Sequence, residues 1–306
     1  MKVWILGAIA AITTVGSLAP TVEAAYPGAN GKIVYERKPS QFEINYDPWT
    51  VSARKPGTAR RLARFRERAY DFVYSPNGRK IAFTAELPAL EIVVMKANGT
   101  KPRVITRKIN KCIGKRRPTW SPNGKKIAFT CLNAKGFNQQ DVWSVNLNGT
   151  GIRQISRTHD AYFPVWSPRG NKIAYTTYGG IIYTVPARGG KSKMISEDAP
   201  GGFLGGTWNR IDWAPDGKTL VADSSGDGIY TVNAATGATS SKLAHIGLEP
   251  VFSPDGKKIL YVNIEKASGG KVDLWMMDVS GTNKKRVTRN GYNRTPNWGP
   301  ARSRGR

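Results

Sequence analysis

Cysteine and histidine are both scarce in this chain of 306 residues, with two of each. Zinc sites gather three or four clustered ligands, so no metal centre is expected from them. Carboxylates are few as well: 21 Asp and Glu stand against 47 Lys and Arg, a formal net charge of +26. From Ile92 to Gln140 there is no acidic residue at all. No Gly-rich phosphate loop, Ser-His-Asp arrangement or paired-carboxylate constellation stands out, so no catalytic residue and no cofactor are expected. After the first two dozen residues no apolar run is long enough to cross a bilayer, which takes about 20 residues. Uninterrupted helical stretches are also missing. The 33 Gly and 19 Pro recur along the whole chain and point to many short strands and turns.

The one long apolar run, Val3 to about Leu18, follows Met1 and Lys2. Val22-Glu23-Ala24 then gives a small-x-small cleavage pattern ahead of Ala25. Residues 1–24 read as a signal peptide. The run contains Thr13, Thr14, Gly16 and Ser17, which makes it too short and too polar for a stable span. No cysteine follows it, which argues against a lipid anchor. The expected location is secreted or extracytoplasmic, in the periplasm or cell envelope. Lys2 and Glu23 leave together, so the mature chain keeps its charge.

An internal repeat dominates the remainder. Tyr74-Ser-Pro-Asn-Gly78, Trp120-Ser-Pro-Asn-Gly124, Trp166-Ser-Pro-Arg-Gly170, Trp213-Ala-Pro-Asp-Gly217 and Phe252-Ser-Pro-Asp-Gly256 share one pattern, and Trp298-Gly299-Pro300 is a degenerate copy. Spacings of roughly 40 to 50 residues are those of propeller blades. Proline presets one turn dihedral and glycine accepts positive φ, so each copy reads as a hairpin turn. The aromatic ends the first strand. Triplets such as Ile81-Ala82-Phe83, Ile127-Ala128-Phe129 and Ile173-Ala174-Tyr175 form the second. Third strands (Val142-Trp143-Ser144-Val145 is one) and shorter fourth strands follow, giving four per repeat. At the ends, Ile33-Val34-Tyr35 lacks a first strand and Pro296-Asn297-Trp298 lacks a second. Pairing them closes a ring and removes its open edges. The expected fold is all-β, a six-bladed β-propeller over residues 25–300 closed by its N-terminal and C-terminal strands, with a basic tail at 301–306.

The Trp-Ser-Pro-x-Gly-x-x-Ile-Ala-Phe pattern, as at residues 120–129, resembles the TolB-type propeller repeat, a relative of WD-repeat blades. The resemblance spans about residues 27 to 300 and implies the fold. It implies function poorly, because one fold hosts many functions. TolB proteins carry an α/β domain before the propeller, and here only a few residues separate the expected leader from the first strand.

Several residues are candidates for a role. The position three before each aromatic reads Asp71, Arg117, Phe163, Arg210, Glu249 and Thr295. These are expected near one mouth of the central channel. Asp71 with Arg117, and Arg210 with Glu249, are placed on neighbouring blades, as cross-blade ion pairs or as a polar funnel for a peptide end or small ligand. His159 and His245 each stand seven residues before an aromatic, in loops at the same mouth. They read as polar loop residues or as ligand contacts. Cys112 precedes a first strand and Cys131 ends the second strand of the same hairpin. In an exported chain a disulfide is expected, with two free thiols as the alternative. Asn98, Asn148 and Asn293 begin N-x-Thr sequences, and the first two lie in Asn-Gly turns.

Basic residues cluster in two stretches, one from Arg54 to Arg68 and one from Lys96 to Lys135. Arg60, Arg61, Arg64, Lys108, Lys111, Lys115 and Arg116 are the candidates for an anion-binding face, the alternative being a solvated surface. A charge of +26 exceeds what solubility needs and suits an anionic partner. The expected function is a binding scaffold for a protein or an anionic envelope polymer. Export argues against nucleic acid, although basic residues would suit it chemically. A monomer is expected. The alternative is a lyase or hydrolase acting on an acidic polysaccharide.

Overall fold

The computed structural model describes residues 28–38, 46–133, 139–196, 208–225, 227–265 and 271–301. The expected signal peptide and nearly all of the expected basic tail lie outside the described residues. Every regular element among the described residues is a strand.

The Ser-Pro-x-Gly turns explain the strand pattern. In the Tyr74 repeat the Gly78 amide donates to the Ser75 carbonyl (2.8 Å) and the Ser75 amide to the Lys80 carbonyl (2.9 Å). Gly78 sits at φ 65°, where a side chain would be strained. The residue between Pro and Gly locks the turn: Asn77, Asn123, Asp216 and Asp255 each accept the amide two positions on. The chain then runs as antiparallel meanders. β1 (Asn30–Arg37), β2 (Asp47–Ser52) and β3 (Lys55–Arg61) form the first. β4 (Ala69–Tyr74), β5 (Lys80–Leu87), β6 (Ala89–Lys96) and β7 (Arg103–Val104) follow, then β8 (Cys112–Trp120), β9 (Lys126–Asn133), β10 (Gln140–Asn146) and β11 (Arg153–Gln154). These two sets join into one eight-stranded sheet through a single parallel contact, Leu90 with Gly114. Next come β12 (Tyr162–Trp166), β13 (Lys172–Thr176), β14 (Ile182–Pro186) and β15 (Lys193–Ser196). β16 (Trp208–Trp213), β17 (Thr219–Ser224) and β18 (Gly228–Asn233) form a three-stranded sheet, extended by isolated bridges at Val232–Thr239 and Ile229–Ala244. β19 (Leu248–Phe252), β20 (Lys258–Glu265), β21 (Lys271–Asp278) and β22 (Lys285–Arg286) form the next sheet. Finally β23 (Asn293–Pro300) lies antiparallel to β1, with Ile33 opposite Trp298 and Val34 opposite Asn297.

The second strand of each repeat is buried on both faces, which is why the triplets read as continuous apolar runs. The hydrophobic clusters lie between neighbouring repeats. Trp120 packs with Ala82 and Ile92 of the preceding repeat, and Trp213 with Ala174 and Ile182. The β1–β23 pair is held on both sides: Ile33 and Trp298 join Leu260 and Leu274, while Val34 joins Tyr74 and Phe83. Gly299 stands where other copies have Ser or Ala because a Cβ there would lie 2.5 Å from the Tyr74 ring.

The hairpin of β8 and β9 carries a disulfide between Cys112 and Cys131, with Cα atoms 5.3 Å apart. Counting from the turn puts Cys131 opposite Arg116, yet it faces Lys115, because a bulge between Arg116 and Thr119 shifts the register by one.

Candidate functional site

Every innermost strand carries a register break of the same kind: at Tyr70/Val73, Arg116/Thr119, Tyr162/Val165, Trp208/Ile211 and Leu248/Val251, with the matching one in β23 opposite Val34/Glu36. The bulged residue is the one three before the aromatic. Asp71, Arg117, Phe163, Glu249 and Thr295 sit there at φ between 46° and 59°. Left-handed backbone is costly for a non-glycine residue, above all for a bulky or β-branched one such as Phe163 or Thr295. These positions follow from counting along the repeats, but their residue types carry no sign of the backbone geometry.

The bulges surround one cavity of about 100 Å³, whose walls include Asp71, Arg117, Phe163, Arg210, Asp212 and Thr295. Asp71, Arg117, Arg210 and Glu249 are brought together, but not in the expected pairs. Arg210 donates to Asp71 across the cavity (3.0 Å) and lies 3.6 Å from Glu249. The pair with Glu249 joins adjacent repeats as expected; the bond to Asp71 joins repeats 139 residues apart. Asp71 does not take Arg117, because Arg210 occupies its Oδ1 and the Thr84 hydroxyl donates to its Oδ2 (3.3 Å). Arg117 instead lies over the Phe163 ring at 3.8 Å, a cation–π contact. Its Nη1 is buried and has no hydrogen-bond partner among the described residues.

Burial governs the electrostatics here. It raises Glu36 to about 8, with the Asp71 charge adding to the effect. Glu36 nonetheless accepts the Asp71 amide at 2.6 Å. Burial raises Asp223 and Asp212 to about 7 each. It lowers Arg117 to about 10, which leaves the guanidinium charged at neutral pH. For Arg210 burial pulls downward, and Glu249 and Asp71 more than offset it.

The histidines do not line this cavity. His159 lies beside Asp141, its Nδ1 3.0 Å from Oδ2 and its amide donating to Oδ1. His245 is exposed. Of the basic-face candidates, Arg60, Arg61, Arg64, Lys108 and Lys111 are exposed, and Arg61 pairs with Asp47 at 3.2 Å. Lys115 departs from the expectation. It is 4% exposed and donates to Glu91 at 2.9 Å, so it is a buried latch and no part of a basic face. Arg116 is half-buried.

Two recurring latches were missed in the sequence. Glu91, Asp141 and Asp273 each accept a hydroxyl from the Ser or Thr fifteen residues on, namely Thr106, Ser156 and Thr288. Aligning the repeats reveals that spacing. The second latch joins innermost strands: Asn297 accepts the Tyr74 amide (2.9 Å), Thr119 that of Trp166 (3.3 Å) and Asp212 that of Phe252 (2.8 Å). The residue before each aromatic alternates between these polar side chains and Val73, Val165 and Val251.

Meanders whose innermost strands surround one cavity define a β-propeller. More particularly, the fold is TolB-like. Over 90% of its length the chain is similar to the crystal structure of TolB from Acinetobacter baumannii, with a TM-score of 0.71, 22% identity and 67% of that chain covered. It is 39% identical over 51 residues to the Tol-Pal system protein TolB 1 of Novosphingobium aromaticivorans, a stretch that is 17% of this chain and 11% of that protein. An oligogalacturonate lyase in complex with manganese is also similar, with a TM-score of 0.59 and 12% identity over 87% of this chain and 77% of that one. Structural likeness at such identity establishes the fold alone. No protein-family model matches the chain.

Proposed function

We propose that this protein is an extracytoplasmic binding scaffold. It is a six-bladed propeller over residues 25–300, closed by β1 and β23, that takes an acidic segment of a protein partner at its channel mouth. The observation that carries the reading is Arg117. It is a charged guanidinium on the cavity wall, held over Phe163, with an Nη1 that no group among the described residues satisfies. A buried donor without a partner is costly, and a ligand carboxylate would satisfy it with a charge-assisted bond. The exposed Arg60, Arg64, Lys108 and Lys111 would draw an acidic partner at longer range. The ring reading is supported by the apolar clusters on both sides of β1–β23. The location is supported by the leader pattern and the likeness to a Tol-Pal system protein.

The test is cross-linked capture from the native envelope with the parent chain and with Arg117→Ala. A protein held by the parent and lost from the variant, at equal melting temperature, is the expected result. Undiminished capture by the variant, or capture of no protein, overturns the reading. The lyase likeness supplies the competing assignment. Turnover of an oligogalacturonate with divalent metal, abolished by His159→Ala, would replace the scaffold with an enzyme.

A further inference from the structure

A second charged site lies away from the channel, at the hairpin-turn end of the sheets. A cleft of about 750 Å³ opens between the Trp120 and Trp166 repeats. Its walls carry Lys126, Arg153, Arg169 and Arg188. An adjoining cleft of about 370 Å³ shares Arg153 and Arg188 and adds Arg157. None of the described lining residues of either cleft is acidic. The walls are positioned by the fold: the Arg153 guanidinium donates to the Arg188 carbonyl at 2.8 Å, tying one repeat to the next.

Comparison among the repeats shows that one basic residue, Arg169, is specific to the cleft. Four other turns carry Asn77, Asn123, Asp216 and Asp255 between Pro and Gly, and each side chain locks its own turn. Arg169 takes that place in the Trp166 repeat and gives up the lock. Ser167 there bonds instead to Asn171, at 3.2 Å. Lys126 adds to the charge of the cleft. At the equivalent place Lys258 is neutralised by Asp278 at 2.7 Å, whereas Lys126 meets the uncharged Asn146 at 2.7 Å. The Asn or Asp lock is thus replaced at this cleft by a basic residue, which raises its positive charge. Departures from an otherwise consistent pattern concentrate at functional sites.

We propose that this cleft binds an acidic peptide segment of a partner protein, independently of the channel mouth. Arginine forks suit carboxylates bidentately. The floor includes Pro122, Trp166 and Ala187, apolar surface that suits a peptide whose carboxylates alternate with apolar side chains. A phosphate polymer, charged at every unit, would leave that floor unused. The volume falls in the usual range for ligand clefts, about 300–1,000 Å³.

The test is fluorescence anisotropy with the purified full chain and a labelled octapeptide of alternating Asp and Leu. The parent binds it, and the Arg169→Asn/Arg188→Ser variant binds about ten-fold more weakly. Arg169→Asn alone uses the residue native to two other turns, so it keeps the fold and weakens binding about three-fold. The control Arg79→Ser/Lys218→Ser, on turns of other repeats, binds like the parent. The proposal is overturned if the parent does not bind the peptide or if Arg169→Asn binds as tightly as the parent. It is also overturned if inorganic polyphosphate of equal charge binds more tightly than the peptide.

Discussion

Glu36 is fully enclosed beside the channel, with Asp71 and Glu249 near its carboxyl and Arg210 bridging those two. Burial, reinforced by Asp71, raises its pKa to about 8, and burial raises Asp212 and Asp223 to about 7. At intermediate pH the native state therefore holds protons that the unfolded chain releases. The stability these groups confer is fully present below the unfolded carboxylate pKa, about 4. It is lost as pH rises toward about 8. Glu36→Gln fixes the uncharged form. The melting temperature of the variant is expected to gain on the parent progressively between about pH 5 and 8. A difference that stays constant over that range contradicts the assignment.

At the scale of strands, the latches between repeats lend themselves to substitution. Asn297 accepts the Tyr74 amide, and the positions before three other aromatics hold Val. Asn297→Val keeps a side chain the site's counterparts already use and removes one acceptor. The expected cost is about 1–2 kcal/mol in urea denaturation, the cost of an unsatisfied buried amide. No loss would show that packing alone holds the junction. The disulfide acts on one hairpin only. Closing a separation of 19 residues contributes about 3 kcal/mol by chain entropy.

The strands and turns were legible in the sequence because Ser-Pro-x-Gly and Ile-Ala-Phe report local dihedrals and burial. The bulges were not. A single extra residue in an inner strand leaves no compositional mark, and Asp71, Arg117 and Thr295 share no chemistry. The same blindness misassigned Lys115. Its neighbours Arg116 and Arg117 make it look like part of a solvated run. Strand alternation turns Lys115 inward to Glu91, a partner 24 residues away.

For the whole molecule, a charge of +26 sets the balance. Like charges on the exposed strand β3 and on Arg64, Lys108 and Lys111 repel one another. The free protein bears that cost at low ionic strength, and an acidic partner relieves it. The apolar clusters between repeats supply the opposing stability, and they work as a closed set only if β23 completes the sheet begun by β1. Both proposed binding sites depend on that closure, since the channel mouth and the clefts between repeats keep their shape only while the sheets stay in register. The direct measurement is thermal denaturation of a chain ending at Tyr292, which lacks β23. The expected result is a melting temperature lower by about 10 °C or more, with exposed apolar surface where Ile33 and Val34 lose their partners. An unchanged, equally cooperative transition would contradict the closed ring.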